Sequence, residues 1–363
     1  MSAIPSFLMP PVIFIGLLLG LWTWKCFWII LMQNKLLYLS WLPPFSRSDA
    51  VSEYVSECKP IQWREAQIRS LDGTSLAICE AWAPASQQGT SPVDRQQKRK
   101  TVVICYFQGN GGSTPLRLPL LSRVLNAIAT RAETSPRTSY AIVALSYRGY
   151  WKSSGRATQS GIELDAQALL NWVSESYGGS DTDLEIFLWG HSLGSVVASS
   201  ALATYLTRRQ DRGSFAHDSH LAPISGLIME APMSNVKDML VSLYPQRWLP
   251  YRYLWPFSWN TWCNDAALRR LARYKHGEML RPLPQSTARA VPPILLLSAE
   301  KDEVIPAHVA DHIEAHARSL TLDVTRRQIS QAMHTEIPNR ADGREAMVNF
   351  VLKNTQNTKY DRQ

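Results

Sequence analysis

The sequence predicts an α/β protein in which a mostly parallel central sheet is flanked by helices, preceded by an apolar helix and interrupted late by a helical insertion. Three observations carry that prediction. From Thr101 onward short apolar runs alternate with longer segments of helical period, and a hairpin pattern precedes them. The 363 residues, 45% hydrophobic and 19% charged, are enough to bury a large core, which excludes a disordered or fibrous chain.

Residues 12 to 32, VIFIGLLLGLWTWKCFWIILM, carry one charge, Lys25. As a helix they span about 31 Å, the thickness of a bilayer core. Residues 1 to 11 hold no basic residue, unlike the start of a cleaved signal, so a retained single-pass anchor behind a short tail is expected. A central Lys costs about 2.5 to 3.5 kcal/mol on insertion scales, and each surrounding Leu, Ile, Phe or Val returns roughly 0.3 to 0.6. Gly16 and Gly20 form a GxxxG spacing of the kind that chance produces in such helices. Lys35 and Arg47 follow the run with no basic residue before it, which puts the next domain on the cytoplasmic side. The absence of any Asn-x-Ser/Thr sequon agrees weakly with that side.

After a linker over 33–60, residues 61 to 83 read as a hairpin turning at Asp72-Gly73. The polar stretches 84–100 and 208–220 read as loops. TVVICYF, AIVALSY, LEIFLW, ISGLIME, PPILLLS and LDVTRRQI then supply six strands in βαβ succession. The α/β domain is expected over 61–352, with a polar tail over 353–363. A cap insertion over 233–290 breaks the rhythm. Its Tyr244, Trp248, Tyr251, Tyr253, Trp255, Phe257, Trp259 and Trp262 mix with Arg247 and Arg252, which suits either packing within a cap or a surface against lipid headgroups.

A net charge of +8 fits nucleic acid, anionic lipid or an acidic partner. The basic clusters are dispersed and no reader motif is present, so nucleic acid is not expected. Five scattered cysteines make neither a disulfide framework nor a Cys-rich zinc site. His308, His312 and His316 have a metal-compatible spacing, but the stripe Val309, Ile313 and Leu320 takes the core face and leaves them outside. No metal and no cofactor are expected.

Gly190-His191-Ser192-Leu193-Gly194 is a GxSxG placed directly after a strand run and before a helical run. That context lifts the Ser192 hydroxyl off the sheet and makes it the candidate nucleophile. A serine needs a base, and the base needs an acid to orient it. In the chain order Ser, acid, His, the loop after PPILLLS offers Glu300, Asp302 and Glu303, of which Asp302 is expected to serve. His334, alone between the last strand and the carboxyl terminus, supplies the base. The oxyanion needs two backbone donors, expected at Leu193 and at Asn110, with Gly111 the less favoured second choice.

With these residues placed, the chain resembles the α/β-hydrolase superfamily over residues 61 to 352. YFQGNGG, SYRGYWKSSG, FLWGHSLGS, GLIMEAPMSNV, LLLSAEKDEVIP and MHTE resemble membrane-anchored abhydrolases of the lysophosphatidylserine lipase and monoacylglycerol lipase type, including fungal polarity-linked relatives. YPQRWLPYRYLWPFSWNTW is similar to the fungal branch in particular. The resemblance implies a membrane anchor, a triad of Ser192, Asp302 and His334, and hydrolysis of an acyl ester from a lipid. Its animal members face the lumen of an endomembrane such as the endoplasmic reticulum, so both orientations stand open. The chain departs from the family where Gln108 replaces a His, Trp151 a second glycine, and Met233 an aromatic. A membrane-tethered interaction protein without catalysis, serving cell polarity, and an acyltransferase or thioesterase using the same triad are the alternatives; oligomeric state is open.

Overall fold

Alternation builds the sheet. In a computed structural model, which describes residues 5–83, 99–132, 138–179, 181–212, 221–243, 246–247, 249–277 and 290–357, one long helix and two short ones precede it: α1 (Met9–Leu31), α2 (Gln33–Leu37) and α3 (Val55–Cys58). The strands are β1 (Trp63–Arg69), β2 (Ser75–Trp82), β3 (Arg99–Phe107), β4 (Thr138–Leu145), β5 (Thr182–His191), β6 (Ile224–Glu230), β7 (Ile294–Ala299) and β8 (Val324–Ile329). They form one sheet in the order β1-β2-β4-β3-β5-β6-β7-β8, in which β2 alone runs against the rest. Val103, Cys105 and Phe107 of β3 enter one hydrophobic layer and Val102, Ile104 and Tyr106 the other, as a strand covered on both faces requires.

One face is covered by α5 (Gln159–Tyr177), α6 (Leu193–Arg212), α8 (Asn264–His276) and α9 (His308–Ser319), through residues such as Leu169, Val196, Leu271 and Ile313. The other is covered by α4 (Leu118–Ala132) and α10 (Ala341–Asn357), through Leu121, Leu125, Met347 and Val351. From β3 the chain turns back to β4 on one side, and from β5 it moves on to β6 on the other. Neighbouring β3 and β5 therefore send their loops apart, which opens a crevice at their carboxyl ends where α/β sheets take ligands. Between β6 and β7 lie α7 (Val236–Leu243), two 3-10 turns (Pro250–Tyr253 and Trp255–Phe257) and α8. The expected loops 84–100 and 208–220, the tails 1–11 and 353–363 and the end of the cap fall partly or wholly outside the described residues.

Three expectations shift. The apolar helix has 23 residues, about 35 Å, and is exposed along almost its whole length. Lys25 is therefore not central: it stands six residues before the helix end, about 9 Å along the axis. The stretch 33–60, expected as a linker, is folded onto the domain. Tyr38, Val51 and Cys58 are buried, Leu39 N–H donates to Asn110 Oδ1 at 2.9 Å, and Gly112 N–H donates to the Leu42 carbonyl. Such contacts join residues far apart in sequence and leave no local period. At the other end α10 continues to Asn357, and the Thr355 carbonyl receives Lys100 Nζ, so the expected tail begins inside a helix.

Arg148 ties the hairpin to the rest. It lies almost buried, donating to Asp165 Oδ1 from Nη2 at 2.7 Å and from Nε at 3.0 Å, to Asp72 Oδ2 at 2.7 Å and to Ser70 Oγ at 3.0 Å. Asp165 is wholly buried. Removing one partner of such a pair leaves a buried charge uncompensated. Asp165→Ala is expected to lose about 3 to 5 kcal/mol of stability, read as a lowered denaturation midpoint of the full chain in detergent.

Candidate active site

β5 ends at His191 and α6 begins at Leu193, so Ser192 alone makes the turn, with φ +53°. A left-handed serine is strained by about 1 to 3 kcal/mol and needs its surroundings to hold it. Its N–H donates to the Glu230 carbonyl at 2.8 Å, and its own carbonyl accepts from Ser195 N–H at 3.0 Å and Ser195 Oγ at 2.6 Å. The flanking glycines are required by space. A Cβ on Gly190 would stand 2.2 Å from the Gly194 carbonyl oxygen, and one on Gly194 would stand 2.0 Å from that of Phe107 and 2.6 Å from that of Gln108. The start of α6 is thus seated directly against the end of β3. Among the described residues the Ser192 hydroxyl takes no hydrogen-bond partner.

Asp302 and His334 meet. His334 Nδ1 lies 2.9 and 3.0 Å from the two Asp302 oxygens, and both side chains are more than nine-tenths buried. Asp302 Oδ1 also accepts the N–H groups of Val304 at 2.9 Å and Ile305 at 2.7 Å, which fixes the carboxylate from behind. Of the other acids considered, Glu303 accepts the backbone N–H of His334 at 3.0 Å and Glu300 that of Gln331 at 2.7 Å. Both brace the loop and neither touches the imidazole. With Nδ1–H directed at Asp302, the lone pair sits on Nε2, the tautomer a base requires. The His334 ring lies beside the elbow: its centroid is 5.0 Å from the ring of His191, whose Nε2 is 3.3 Å from the His334 carbonyl.

The loop after β3 carries the amides. The Gly112 N–H is committed to Leu42 and the Gly111 amide faces the Tyr150 hydroxyl. Among the described residues no turn or side chain takes up the amides of Asn110 and Leu193. Asn110 Oδ1 accepts from Leu39 N–H and, at 3.1 Å, from Tyr150 O–H. Gln108, at the family's histidine position, is buried, with Oε1 accepting from Thr114 Oγ1 at 2.9 Å and Nε2 without a partner among the described residues. Trp151, where a glycine is usual, keeps φ at +40° and donates from Nε1 to the Asp49 carbonyl at 2.8 Å. A tryptophan holds a glycine's backbone there because it is buried against the 33–60 stretch. Met233 is buried as well.

Sequence reasoning missed a buried polar group behind the elbow. Arg117 donates to Glu230 Oε1 at 3.0 Å, to Tyr106 Oη at 2.9 Å and to the Thr335 carbonyl at 3.2 Å, while Trp189 Nε1 donates to Glu230 Oε2 at 2.8 Å. One guanidinium so links the elbow strand's neighbour β6 to the loop of His334. Burial pushes the Glu230 carboxyl up from its ordinary value against the pull of Arg117. The only sequence signal was a charge ending the apolar run ISGLIME. Burial also drives His191 well below its ordinary value, with Arg117 and His334 adding to the effect. Away from the site, His312 Nε2 lies 2.9 Å from Asp265 Oδ2 and its ring stacks on that of His316. Among the described residues no group of three His, Cys, Asp or Glu is gathered to hold a metal.

Residues 110–340, more than half of the chain, match the model of the alpha/beta hydrolase family. The chain belongs to that family and is a hydrolase by class. Among curated proteins it is similar to protein bem46 of Schizosaccharomyces pombe, 26% identical over 276 residues that cover 76% of this chain and 71% of that one. It is also similar to lysophosphatidylserine lipase ABHD12 of Danio rerio, 30% identical over 67% of this chain, of which it spans only 50%. An alpha-beta hydrolase from Vibrio vulnificus shares the fold with a TM-score of 0.57 at 16% identity, covering 89% of this chain and 92% of its own. An esterase of Pyrococcus furiosus does so at 0.51 and 14%, covering 81% and 90%.

Two predictions follow from the elbow. Gly194→Ala is expected to lose about 3 kcal/mol, since its Cβ meets backbone that cannot yield; Gly20→Ala, with nothing within 4 Å, is expected to leave the melting temperature unchanged. The second concerns pH. Because the folded chain holds His191 neutral, the unfolded chain binds the extra proton first, so the stability this residue contributes is full above about 6.5 and is lost as pH falls below it. Melts of wild type and His191→Asn should therefore converge between pH 7 and 5.

Proposed function

We propose that the protein is a membrane-anchored serine hydrolase that cleaves acyl esters of lipids, of the lysophospholipid or monoacylglycerol kind. The observation that carries this reading is the Asp302–His334 pair beside the elbow of a left-handed Ser192 whose hydroxyl takes no partner among the described residues. His334 Nε2 takes the hydroxyl proton as Ser192 Oγ bonds to the acyl carbon. The carbonyl oxygen becomes an oxyanion, held by the Leu193 and Asn110 amides. As the intermediate collapses, the bond to the alcohol breaks and His334 hands the proton to the departing oxygen, leaving an acyl-serine. Water, deprotonated by the same nitrogen, then attacks the acyl carbon and releases the acid, returning the proton to Ser192.

A lipid rather than a soluble ester is favoured by the α1 helix, long and apolar enough to cross a bilayer, and by the lysophosphatidylserine lipases among the relatives. We place the protein in an endomembrane with α1 as its single span. Acyl transfer to an acceptor other than water would use the same acyl-serine, so the reading fixes the first half-reaction more tightly than the second.

Fluorophosphonate labelling of the membrane fraction tests it. Wild type should be labelled and Ser192→Ala should not, with turnover of a lipid ester falling by about 10⁶. A folded wild type that resists labelling would point instead to a tethered interaction protein.

A further inference from the structure

Among the described residues of the cap, one buried aromatic side chain stands apart from a cluster of exposed ones. Trp262 is buried, with Nε1 donating to Tyr38 Oη at 2.8 Å, and serves packing. Tyr253, Trp255, Phe257 and Trp259 are 54%, 41%, 59% and 61% exposed, four large side chains within seven residues. Packing accounts for the first and not for the others, and a cluster of this kind on a surface marks an interaction site.

Its occupant follows from what the cluster is attached to. Two residues beyond the end of α1, Gln33 donates from Nε2 to the Phe257 carbonyl at 3.2 Å and accepts the Trp259 N–H on Oε1 at 2.6 Å. Next to it Asn34 Oδ1 accepts from Asn260 Nδ2 at 2.7 Å. The 250s turns are thereby fastened at the level where the apolar helix stops, about 3 Å along its axis from Leu31. That is the depth of a headgroup layer, where tryptophan and tyrosine are favoured. Cations accompany the rings: Lys237 Nζ lies 4.6 Å from the Trp255 ring centroid, and exposed Lys35 lies in the same juxtamembrane turn.

We propose that this face of the cap is a second membrane contact, dipping into the headgroup layer of an anionic bilayer beside the anchor and holding the cap against the surface that contains the substrate. It rests on the reading of α1 as a membrane span. Aromatic rings insert between lipids while Lys237 and Lys35 meet lipid phosphates and carboxylates.

The test uses the full chain in phosphatidylcholine vesicles, with and without phosphatidylserine. An environment-sensitive fluorophore is placed by Phe257→Cys or, as a reference within the helix, Leu19→Cys, and labelled wild type gives the background of native thiols. Brominated lipids should quench both labels, with Phe257 quenched more when phosphatidylserine is present. Quenching at Leu19 alone overturns the cap contact and leaves the anchor standing; quenching at neither overturns the anchor and the contact together. In activity, W255A/F257A/W259A should lower turnover of a bilayer-embedded ester about tenfold while sparing a short water-soluble ester. An equal fall on both substrates would make the aromatics structural and overturn the proposal.

Discussion

The seating of Gly194 on the carbonyl oxygens of Phe107 and Gln108 is the contact around which the site is arranged. It depends on β3 and β5 being parallel neighbours in a register that sets Phe107 opposite Gly190, so that both strands end together and their loops leave from one level. A helix starting immediately after the turn can then pass over the end of β3 only if it brings no side chain. The cost is a strained Ser192. In return, Ser192, the first turn of α6 and the start of the loop after β3 are brought together, positioned by backbone rather than by flexible side chains.

Buried polar ties keep the surrounding loops where that space needs them. Arg117 and Glu230 join the turn before α4, β6 and the loop of His334; Arg148 and Asp165 join the hairpin, the loop after β4 and α5. Ion pairs so deeply desolvated add little net stability, but each satisfies partners in three elements at once, which makes alternative loop arrangements expensive. The hydrophobic layers set how the helices lie on the sheet, and these few charges set how its carboxyl edge is tied.

Much of this was legible because it is local. Strand runs, the hairpin turn and the GxSxG elbow each occupy a short window, and fold order then points to Asp302 and His334 as the acid and base positions. What escaped was long-range. Nothing around Tyr38, Leu39 or Leu42 signals that they dock on residues seventy and more than two hundred positions away. Arg117 and Glu230 are 113 residues apart, and a lone charge in an apolar run gives no partner. Trp151 hides a left-handed backbone behind a residue type that usually avoids it, and Lys25 reads as central until the ends of its helix are known.

The docking of residues 33–42 bears on how such an enzyme finds its substrate. A domain on a slack tether sweeps a volume and meets the bilayer at any angle. Here the turn after α1 is pinned to the cap through Gln33 and Asn34 and to the loop after β3 through Leu39 and Leu42. For a chain that spans the bilayer, helix and domain then rotate and drift as one body, with a fixed attitude to the surface. Encounter becomes a two-dimensional search in which lipids approach from one constant direction.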